Sequence, residues 1–442
     1  KEVNCIFDEA HSLPYYAAGI LSDELSTLSL RRALKEAERH AVEDSGLLEA
    51  LYNVVRELGM RAYKKFGFDV EHVIDKEEIV NSLMRKLKLT ADRLLDIVSS
   101  LSEEGERIRQ RRVEEGKSPV SYLSRCARFL ESWISVVGSS YVHYVKAVVG
   151  REERRYAKIG LKCLDPALAA GVINKLRSAI LMSGTLWHAD YYTDVLGIQR
   201  SRCETIELPS PFPPENRLIL IDKSVTTKFE KRGEQQWRKI ADHLQRIIEA
   251  ISGRIAVYFP SYEVMQAILE NVKFDRNLLV EKRDTRIVDV LEFLKSNEKC
   301  VVFGVVRGKI SEGVDMSTEG RSMLSAIVIV GLPYPKRTEI QNALLNYFKS
   351  KFGSQAIVYA NDIPCLNAMA QSAGRLLRSP QDRGIIIIMD GRATGRFKQK
   401  LPKEWKEEMK AHLKIEKLIG GIHGFFTQQI EGNLTPDGYY IS

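Results

Sequence analysis

Short apolar runs alternate with helical patterns through the second half of the chain, and this alternation limits the possible folds more than any other feature. An order of strand, helix and strand is typical of a parallel sheet wrapped by helices. We therefore predict an α/β protein built on a parallel sheet. The alternating segments are 255–259, 261–272, 278–280, 287–294, 301–306, 326–330 and 385–389.

The whole chain of 442 residues is long enough for roughly two to four domains. The apolar run 3–7 predicts a buried parallel strand, and because such a strand needs neighbours we expect more sequence upstream. Helical periodicity extends from about 23 to 133, followed by a β-like run at 141–149, and four prolines in 209–214 mark an extended connection. The predicted segments are 1–22 and 161–208, the start and end of a first domain; 23–160, a mainly helical insertion; and 209–442, a second domain.

The chain carries a formal charge of +8 and has a pI near 9.0. This favours a polyanionic partner, because Lys and Arg release the counterions condensed on phosphates, although many basic proteins bind no nucleic acid. The sequence has no apolar run long enough to cross a bilayer and no signal peptide, so we expect no membrane partner. Its six cysteines form no C-x-x-C pair and indicate separate thiols in a reducing cytosol or nucleus.

An acidic pair stands directly after the first predicted strand. Asp8 and Glu9 open the run Asp8-Glu9-Ala10-His11, at the sheet edge where α/β proteins bind ligands. One carboxylate can hold Mg²⁺ through water while its neighbour orients the water that attacks a γ-phosphate. A strand end followed by an acidic helix cap would give the same pattern.

A glutamine and two arginines are spaced by four and three residues in the run 371–378. This spacing predicts that Gln371, Arg375 and Arg378 share one face of a helix, while the two leucines between the arginines face the core. Guanidinium groups bind phosphate bidentately, as a site for a transferring phosphoryl group requires. Gly374 would permit close approach of another backbone. The alternative is an amphipathic helix with an arginine-rich solvent face.

Polar residues also follow three other predicted strands. A glycine-rich turn at a sheet edge can approach phosphate or DNA closely. However, Gly and Asp also fill ordinary turns, and a serine can simply cap the helix that follows it. The residues are Ser183, Gly184 and Thr185; Ser261 and Tyr262; and Gly308, Lys309, Ser311, Glu312, Gly313 and Asp315.

ATP chemistry of this kind needs a phosphate-binding loop of the form G-x-x-x-x-G-K-[ST], and the chain has none. The run Gly116-Lys117-Ser118 does not qualify, because Arg111 occupies the position of the first glycine.

The order of these runs resembles that of the XPD helicases, iron-sulfur DEAH-box DNA helicases of superfamily 2. The resemblance implies two RecA-like motor domains, the first incomplete, with a helical arch inserted in the first. It also implies ATP-driven movement from 5′ to 3′ on single-stranded DNA. The matching runs are DEAH at 8–11, SGTL at 183–186, FPSY at 259–262, GKISEGVD at 308–315, GLPYP at 331–335 and QSAGRLLR at 371–378.

The resemblance also assigns roles to residues of the first motor domain. Asp8 and Glu9 match the carboxylates for Mg²⁺ and the catalytic water, with Asp8 contacting the metal through water. His11 would couple that site to Ser183, Gly184 and Thr185, which take part in DNA binding.

In the second motor domain, Arg375 and Arg378 match arginine fingers with Gln371 as their companion. The loop from Gly308 to Asp315 matches one that touches nucleotide and DNA together. Within this domain we expect Gly313, Asp315 and Gly374 near the nucleotide. The expected DNA and coupling residues are Ser261, Tyr262, Gly308, Lys309, Ser311 and Glu312.

The chain departs from the XPD pattern upstream of its first strand. Family members carry the phosphate-binding loop there, together with four cysteines for a 4Fe-4S cluster. We therefore expect the cluster in the intact protein, although its ligands are not in this chain. DinG-like helicases resemble SATL rather than the SGTL found at 183–186, which ranks them second.

The sequence thus favours an ATP-dependent DNA helicase, with ATP and Mg²⁺ as cofactors and single-stranded DNA and DNA-repair proteins as partners. We expect this chain alone to be inactive, and the protein to be a monomer. Its location would be cytoplasmic in an archaeon, which the compact arch suggests, or in a bacterium, and nuclear in a eukaryote. The contrasting hypothesis is a non-catalytic DNA-binding or scaffold module.

Overall fold

The computed structural model of the protein describes residues 3–150, 153–273 and 275–432. The helices within these ranges are α1 Leu13–Ile20, α2 Thr27–Arg39, α3 Gly46–Phe66, α4 Lys76–Leu87, α5 Ala91–Glu114, α6 Tyr122–Ser135, α7 Ala167–Ala170, α8 Ala189–Val195, α9 Glu234–Ala250, α10 Tyr262–Leu269, α11 Ile287–Ser296, α12 Lys309–Gly313, α13 Glu339–Phe352, α14 Ile363–Ala373, α15 Lys403–Glu408 and α16 Ile415–Gly432.

Short strands are interspersed with these helices. They are β1 Asn4–Phe7, β2 Asp23–Ser26, β3 His72–Ile74, β4 Tyr141–Val149, β5 Arg155–Cys163, β6 Ser178–Leu181, β7 Arg217–Asp222, β8 Ile255–Phe259, β9 Asn277–Val280, β10 Cys300–Val305, β11 Ser317–Thr318, β12 Arg321–Ser322, β13 Ala326–Val330, β14 Gly384–Met389 and β15 Met409–His412.

The chain forms two compact units. The first comprises the described parts of Lys1–Glu204 together with Lys336–Ala360, and the second those of Thr205–Pro335 and Asn361–Ser442. The segment 336–360 therefore packs with the first unit, whereas the sequence interpretation placed it in a second domain spanning 209–442. Among the described residues, no helix combines the length and apolar character that a membrane span needs.

The first unit contains two small sheets. Strands β1 and β6 pair in parallel, with Asn4 opposite Ser178 and Phe7 opposite Leu181. The second sheet is antiparallel in the order β2-β5-β4-β3 and packs with the helices of the predicted insertion. Four of these helices begin at a serine, threonine or aspartate whose side-chain oxygen accepts a backbone N–H of the first turn, which satisfies an otherwise unpaired donor. The capping residues are Ser26, Asp75, Thr90 and Ser121.

The segment 336–360 is held in the first unit by polar side chains of α13. The carboxylate of Asp165 accepts hydrogen bonds from Tyr347 Oη at 2.6 Å and from Lys351 Nζ at 2.7 Å. At the other end of the helix, Glu339 Oε2 lies 2.9 Å from His72 Nδ1. Because Asp165 is 7% exposed, its charge needs these partners, and the contacts anchor the helix.

The second unit is built on a seven-stranded sheet in the order β15-β7-β14-β13-β8-β10-β9. Every pairing in this sheet is parallel, and the central strands β8, β10, β13 and β14 are buried along their whole length. Burial on both faces explains the continuous Val and Ile runs of these strands. The predicted α/β fold class is confirmed.

Candidate active site

The acidic pair lies at the edge of the parallel strands of the first unit. Because β1 and β6 run in the same direction and in register, the residues that follow them meet at one edge. The backbone continues this alignment, since Ala10 N donates to Met182 O at 3.0 Å. The topology therefore brings Glu9 and Ser183 together although 174 positions separate them in sequence.

Ser183, His11 and Glu9 form a hydrogen-bonded cluster at this edge. Ser183 Oγ donates to Glu9 Oε2 at 3.0 Å and lies 2.9 Å from His11 Nδ1. His11 Nδ1 is also 3.1 Å from Glu9 Oε2. The Thr185 N–H donates to Ser183 Oγ at 3.3 Å. These contacts fix the Glu9 carboxylate while leaving 63% of its side chain exposed.

Glu9 adopts a left-handed backbone conformation, with φ at 49° and ψ at 40°. This region costs a residue with a side chain about 1–2 kcal/mol, and such strain persists where surrounding contacts enforce it. The neighbouring Asp8 accepts the Glu9 N–H through Oδ1 at 2.8 Å. The turn therefore presents two carboxylates to solvent immediately beyond the strand.

The oxygen donors of this edge suit magnesium. Mg²⁺ is usually held by one or two carboxylates together with waters and substrate phosphates rather than by an all-protein cage. In the described ranges, no three His, Cys, Asp or Glu side chains gather closely enough to hold a metal by themselves. Asp8 and Glu9 therefore fit a magnesium ion that arrives with a nucleotide.

The cysteines do not fit an iron-sulfur cluster. Cys203 is exposed and Cys5 is half-buried, while the remaining four cysteines are buried at separate places. A cluster needs four thiolates within reach of one another. The described part of the chain offers no such set.

A buried glutamate, which the sequence analysis did not single out, organises the loop after β10 in the second unit. Glu281 follows β9 and is 1% exposed. Its carboxylate accepts the N–H groups of Val305 and Lys309, both at 2.8 Å. A Cβ atom at Gly308 would lie 2.7 Å from Glu281 Oε1, so glycine is required beside this carboxylate. The signal in the sequence was an acidic residue directly after a strand, as at Asp8 and Glu9.

The run 307–315 contains one helical turn, so the prediction that it is all loop was wrong. The turn is α12, and the Glu281 carboxylate accepts its first N–H, as an acidic cap does. Ser311, 1% exposed, donates to the Val305 carbonyl at 3.0 Å. Lys309 Nζ donates to the Arg283 carbonyl at 2.7 Å.

The prediction that Gln371, Arg375 and Arg378 share one helix face was wrong, because α14 ends at Ala373 with Gly374 as its C-cap residue. Gln371 lies in the last turn of the helix, and both arginines follow the helix end. The leucines between them are buried as expected, at 0% and 7% exposed. Because these leucines are buried, the chain turns into the core after Ala373. The two arginines therefore lie in the non-helical segment that follows α14.

Both arginines contact the run 308–315. Arg375 donates through Nε to the Ser311 carbonyl at 3.2 Å and through a terminal nitrogen to the Glu312 carbonyl at 2.7 Å. Arg378 forms a half-exposed ion pair with Asp315 at 3.0 Å. The second unit therefore brings together the motifs 308–315 and 371–378, as a shared phosphate site would require.

The two glycines expected near a nucleotide differ in their surroundings. A Cβ at Gly313 would lie 3.3 Å from Ile287 Cδ1, whereas one at Gly374 would meet only carbonyls of its own preceding turn, first that of Ala370 at 3.2 Å. The prediction that Gly374 admits another backbone was wrong. In the first unit, a Cβ at Gly184 would meet nothing within 4 Å.

Ser261 caps α10, since its hydroxyl accepts the Val264 N–H at 3.3 Å. This is the structural alternative that the sequence left open for it. The neighbouring Tyr262 is 41% exposed, and partial burial together with the nearby Glu281 carboxylate raises the pKa of its hydroxyl. Tyr262 therefore connects the surface after β8 to the Glu281 carboxylate. That carboxylate holds the segment 306–315, which contains α12 and is called the α12 loop below.

Asp390, fully buried after β14, joins three segments of the second unit, and sequence reasoning missed it. Its carboxylate accepts from Thr226 Oγ1 at 3.0 Å, from Leu332 N at 3.3 Å and from the Arg392 guanidinium at 2.6 Å. Burial by itself would raise the pKa of Asp390, but the Arg392 hydrogen bonds hold that pKa below its ordinary value. A Cβ at Gly331, whose φ is 82°, would overlap Thr227.

Known proteins share these features. Residues 29–231 match the helical and beta-bridge domain family, and residues 244–408 match the helicase C-terminal domain family. A solved XPD helicase structure superimposes with a TM-score of 0.64 at 22% identity, covering 92% of this chain and 68% of that one. The fold and the order of the motifs thus define a helicase protein with RecA-like architecture.

Sequence relatives point to the same family. The ATP-dependent DNA helicase XPD of Sulfolobus acidocaldarius is 25% identical over 416 residues, which cover 93% of this chain and 67% of the relative. The yeast protein named general transcription and DNA repair factor IIH helicase subunit XPD/RAD3 is 28% identical over 271 residues, covering 54% of this chain and 33% of that protein. These matches support the XPD helicase family for this chain, which spans about two thirds of the archaeal relative and one third of the yeast one.

Proposed function

We propose that the whole protein is an ATP-dependent DNA helicase that moves from 5′ to 3′ on single-stranded DNA and acts in DNA repair. The observation that carries this proposal is the hydrogen-bonded cluster of Glu9, His11 and Ser183 beyond a parallel strand. Similarity to known proteins supports it, because the archaeal relative is named an ATP-dependent DNA helicase and the yeast relative a DNA repair factor subunit.

In this proposal, Asp8 holds Mg²⁺ through water and Glu9 orients the water that attacks the γ-phosphate. Bound magnesium would neutralise charge that develops on the phosphates. His11 and Ser183 hold Glu9 in place, and any shift of the segment from Ser183 to Thr185 would move the carboxylate. DNA that contacts the chain near Ser183 would thus change the position of the Glu9 carboxylate through the hydrogen bonds of this cluster.

The second unit has its own candidate phosphate-binding cations. Arg375 and Arg378 serve as arginine fingers, with Gln371 as their companion. The half-exposed Arg378–Asp315 pair contributes little to stability, so its exchange for a phosphate costs little. The α12 loop, with Gly308, Lys309, Ser311 and Glu312, would respond to DNA and nucleotide together.

The test is steady-state ATP hydrolysis with and without single-stranded DNA, on this chain and on the product of its complete gene. We expect DNA-stimulated turnover in the complete product and none in this chain. Glu9→Gln should abolish turnover while nucleotide and DNA binding persist, and the exposed Glu38→Gln on α2 is the matched control. Undiminished turnover in Glu9→Gln would remove Glu9 from this role, and no nucleotide binding by the complete product would refute the motor.

The second candidate function is a non-catalytic DNA-binding or scaffold module, which the lack of a phosphate-binding loop in this sequence favours. A DinG-like helicase is the alternative within the enzyme class. DNA-repair proteins are the proposed partners and a monomer the proposed state, in the cytoplasm of an archaeon or bacterium or in the nucleus of a eukaryote. A 4Fe-4S cluster is proposed only for the region upstream.

A further inference from the structure

A concave basic surface lies on the first unit, and none of the motif residues described above lines it. It has a volume of about 350 Å³ and is formed by the start of α2 and the strand β5 with the residue before it. We call it the basic groove. The residues that line it are Leu28, Arg31, Arg32, Lys35, Arg154 and Arg155.

The five cations of the basic groove have no carboxylate partner among the described residues. Instead, tyrosine hydroxyls hold two of them: Arg31 donates to Tyr52 Oη at 2.6 Å, and Arg32 donates to Tyr122 Oη at 2.9 Å. A phenol oxygen orients a guanidinium without neutralising its charge. The groove therefore keeps its full positive charge in an ordered arrangement.

Aromatic rings border the same cations. The Arg31 and Arg32 guanidinium carbons lie 5.3 and 5.2 Å from the ring centroids of Tyr52 and Tyr122. Arg155 lies 5.5 Å from the centroid of Phe68. The rings therefore help to order the cations, and an ordered row of cations in a groove suits the phosphate backbone of a single-stranded nucleic acid.

The basic groove has a defined end. Beyond Lys35, the adjoining surface is lined by Glu38 and Glu49 together with Tyr52. These carboxylates would repel a phosphate backbone. The surface that attracts phosphate thus extends from Arg154 to Lys35 and ends at Lys35.

We propose that the basic groove binds the phosphate backbone of single-stranded DNA as a secondary anchoring site. The inference rests on the proposed function, because it presumes that the protein handles single-stranded DNA. The guanidinium groups would pair with phosphate oxygens, while Tyr52 and Tyr122, which pack against the hydrophobic core, hold two of them in place. Such an anchor would hold a strand independently of nucleotide.

The test is fluorescence anisotropy of a labelled oligothymidylate of about 20 nucleotides, titrated with the full chain at several salt concentrations. The groove variant combines Lys35→Gln, Arg154→Gln and Arg155→Gln, all exposed positions. The control combines Lys86→Gln, Arg93→Gln and Lys117→Gln. It removes the same charge from cations of the same unit that are already paired with carboxylates.

Loss of three phosphate contacts should reduce the slope of log K against log salt by about 2 and weaken binding about 100-fold at 0.1 M salt. The control should change affinity less than about fivefold, and melting temperatures should confirm that both variants fold. Equal binding by the groove variant and the control would overturn the groove but leave the helicase proposal standing. No binding by the unaltered chain would overturn the groove and count against the DNA-binding function as well. Displacement of the oligonucleotide by polyglutamate at equal charge concentration would assign the groove to an acidic protein instead.

Discussion

Replacement of Glu281 by alanine should release the α12 loop. The buried carboxylate accepts the backbone N–H groups of Val305 and Lys309 at 2.8 Å. A hydrogen bond to a charged group contributes about 1.5–3 kcal/mol, and its loss leaves a buried donor unsatisfied. Two such bonds give a local destabilisation of about 3–6 kcal/mol. At about 1.4 kcal/mol per tenfold change, the amides of both residues should exchange about 10²- to 10⁴-fold faster with solvent.

Amide hydrogen exchange read by mass spectrometry or NMR over residues 300–316 measures this effect. Glu281→Gln keeps the shape and one acceptor oxygen, so its effect should be intermediate. The exposed Glu263→Gln on α10 removes a carboxylate from the same unit and should leave exchange unchanged. If Glu281→Ala exchanged within twofold of the unaltered protein at these amides, the assignment of Glu281 as the organiser of the loop would be refuted.

Three further changes test other parts of the structure. In the complete protein, Arg378→Ala should lower turnover by about 10³-fold or more while DNA affinity stays constant; weakened DNA binding alone would contradict the arginine-finger role. Asp390→Asn should lower the free energy of unfolding by about 1.5–3 kcal/mol in urea titrations, because the fully buried carboxylate would lose its charge-assisted hydrogen bonds to Arg392, whose side chain is 30% exposed. Burial alone would raise the pKa of Glu24, but hydrogen bonds from Lys146, Lys158 and Tyr144 lower it from 4.5 to about 2. The ionised Glu24 therefore adds about 2 kcal/mol, discounted for exposure, to the free energy of unfolding above pH 4.5, and this stability is lost as the pH falls towards 2. In Glu24→Gln the melting temperature should depend less on pH over that window, and an unchanged pH profile would contradict this.

The sequence predicted what depends on local pattern. Apolar runs such as 326–330 became central strands, because a strand buried on both faces needs apolar residues on both sides. The placement of polar residues directly after strands also let Glu9 and Ser183 be expected at sheet edges. Parallel pairing then brought them together.

Sequence patterns gave wrong predictions where tertiary packing determines the backbone conformation. The spacing of Gln371, Arg375 and Arg378 matched a helix, yet Gly374 ends α14 and the buried leucines redirect the chain. Gly374 keeps a right-handed backbone with φ at −64°, so this helix end is not the left-handed glycine stop that a sequence can indicate. The role of Glu281 depends on a contact with Val305, 24 positions away, which periodicity does not encode.

The segment 336–360 changes how the two units are connected. The chain passes from one unit to the other at 204/205, leaves the second unit again after 335 and re-enters it at 361. The units therefore share three covalent crossings instead of a single linker. A protease that cut only near 205 would leave the two units covalently joined at both ends of the segment 336–360. Separating the units as independent pieces would need all three crossings to be cut, and the piece that carries α13 would belong with the first.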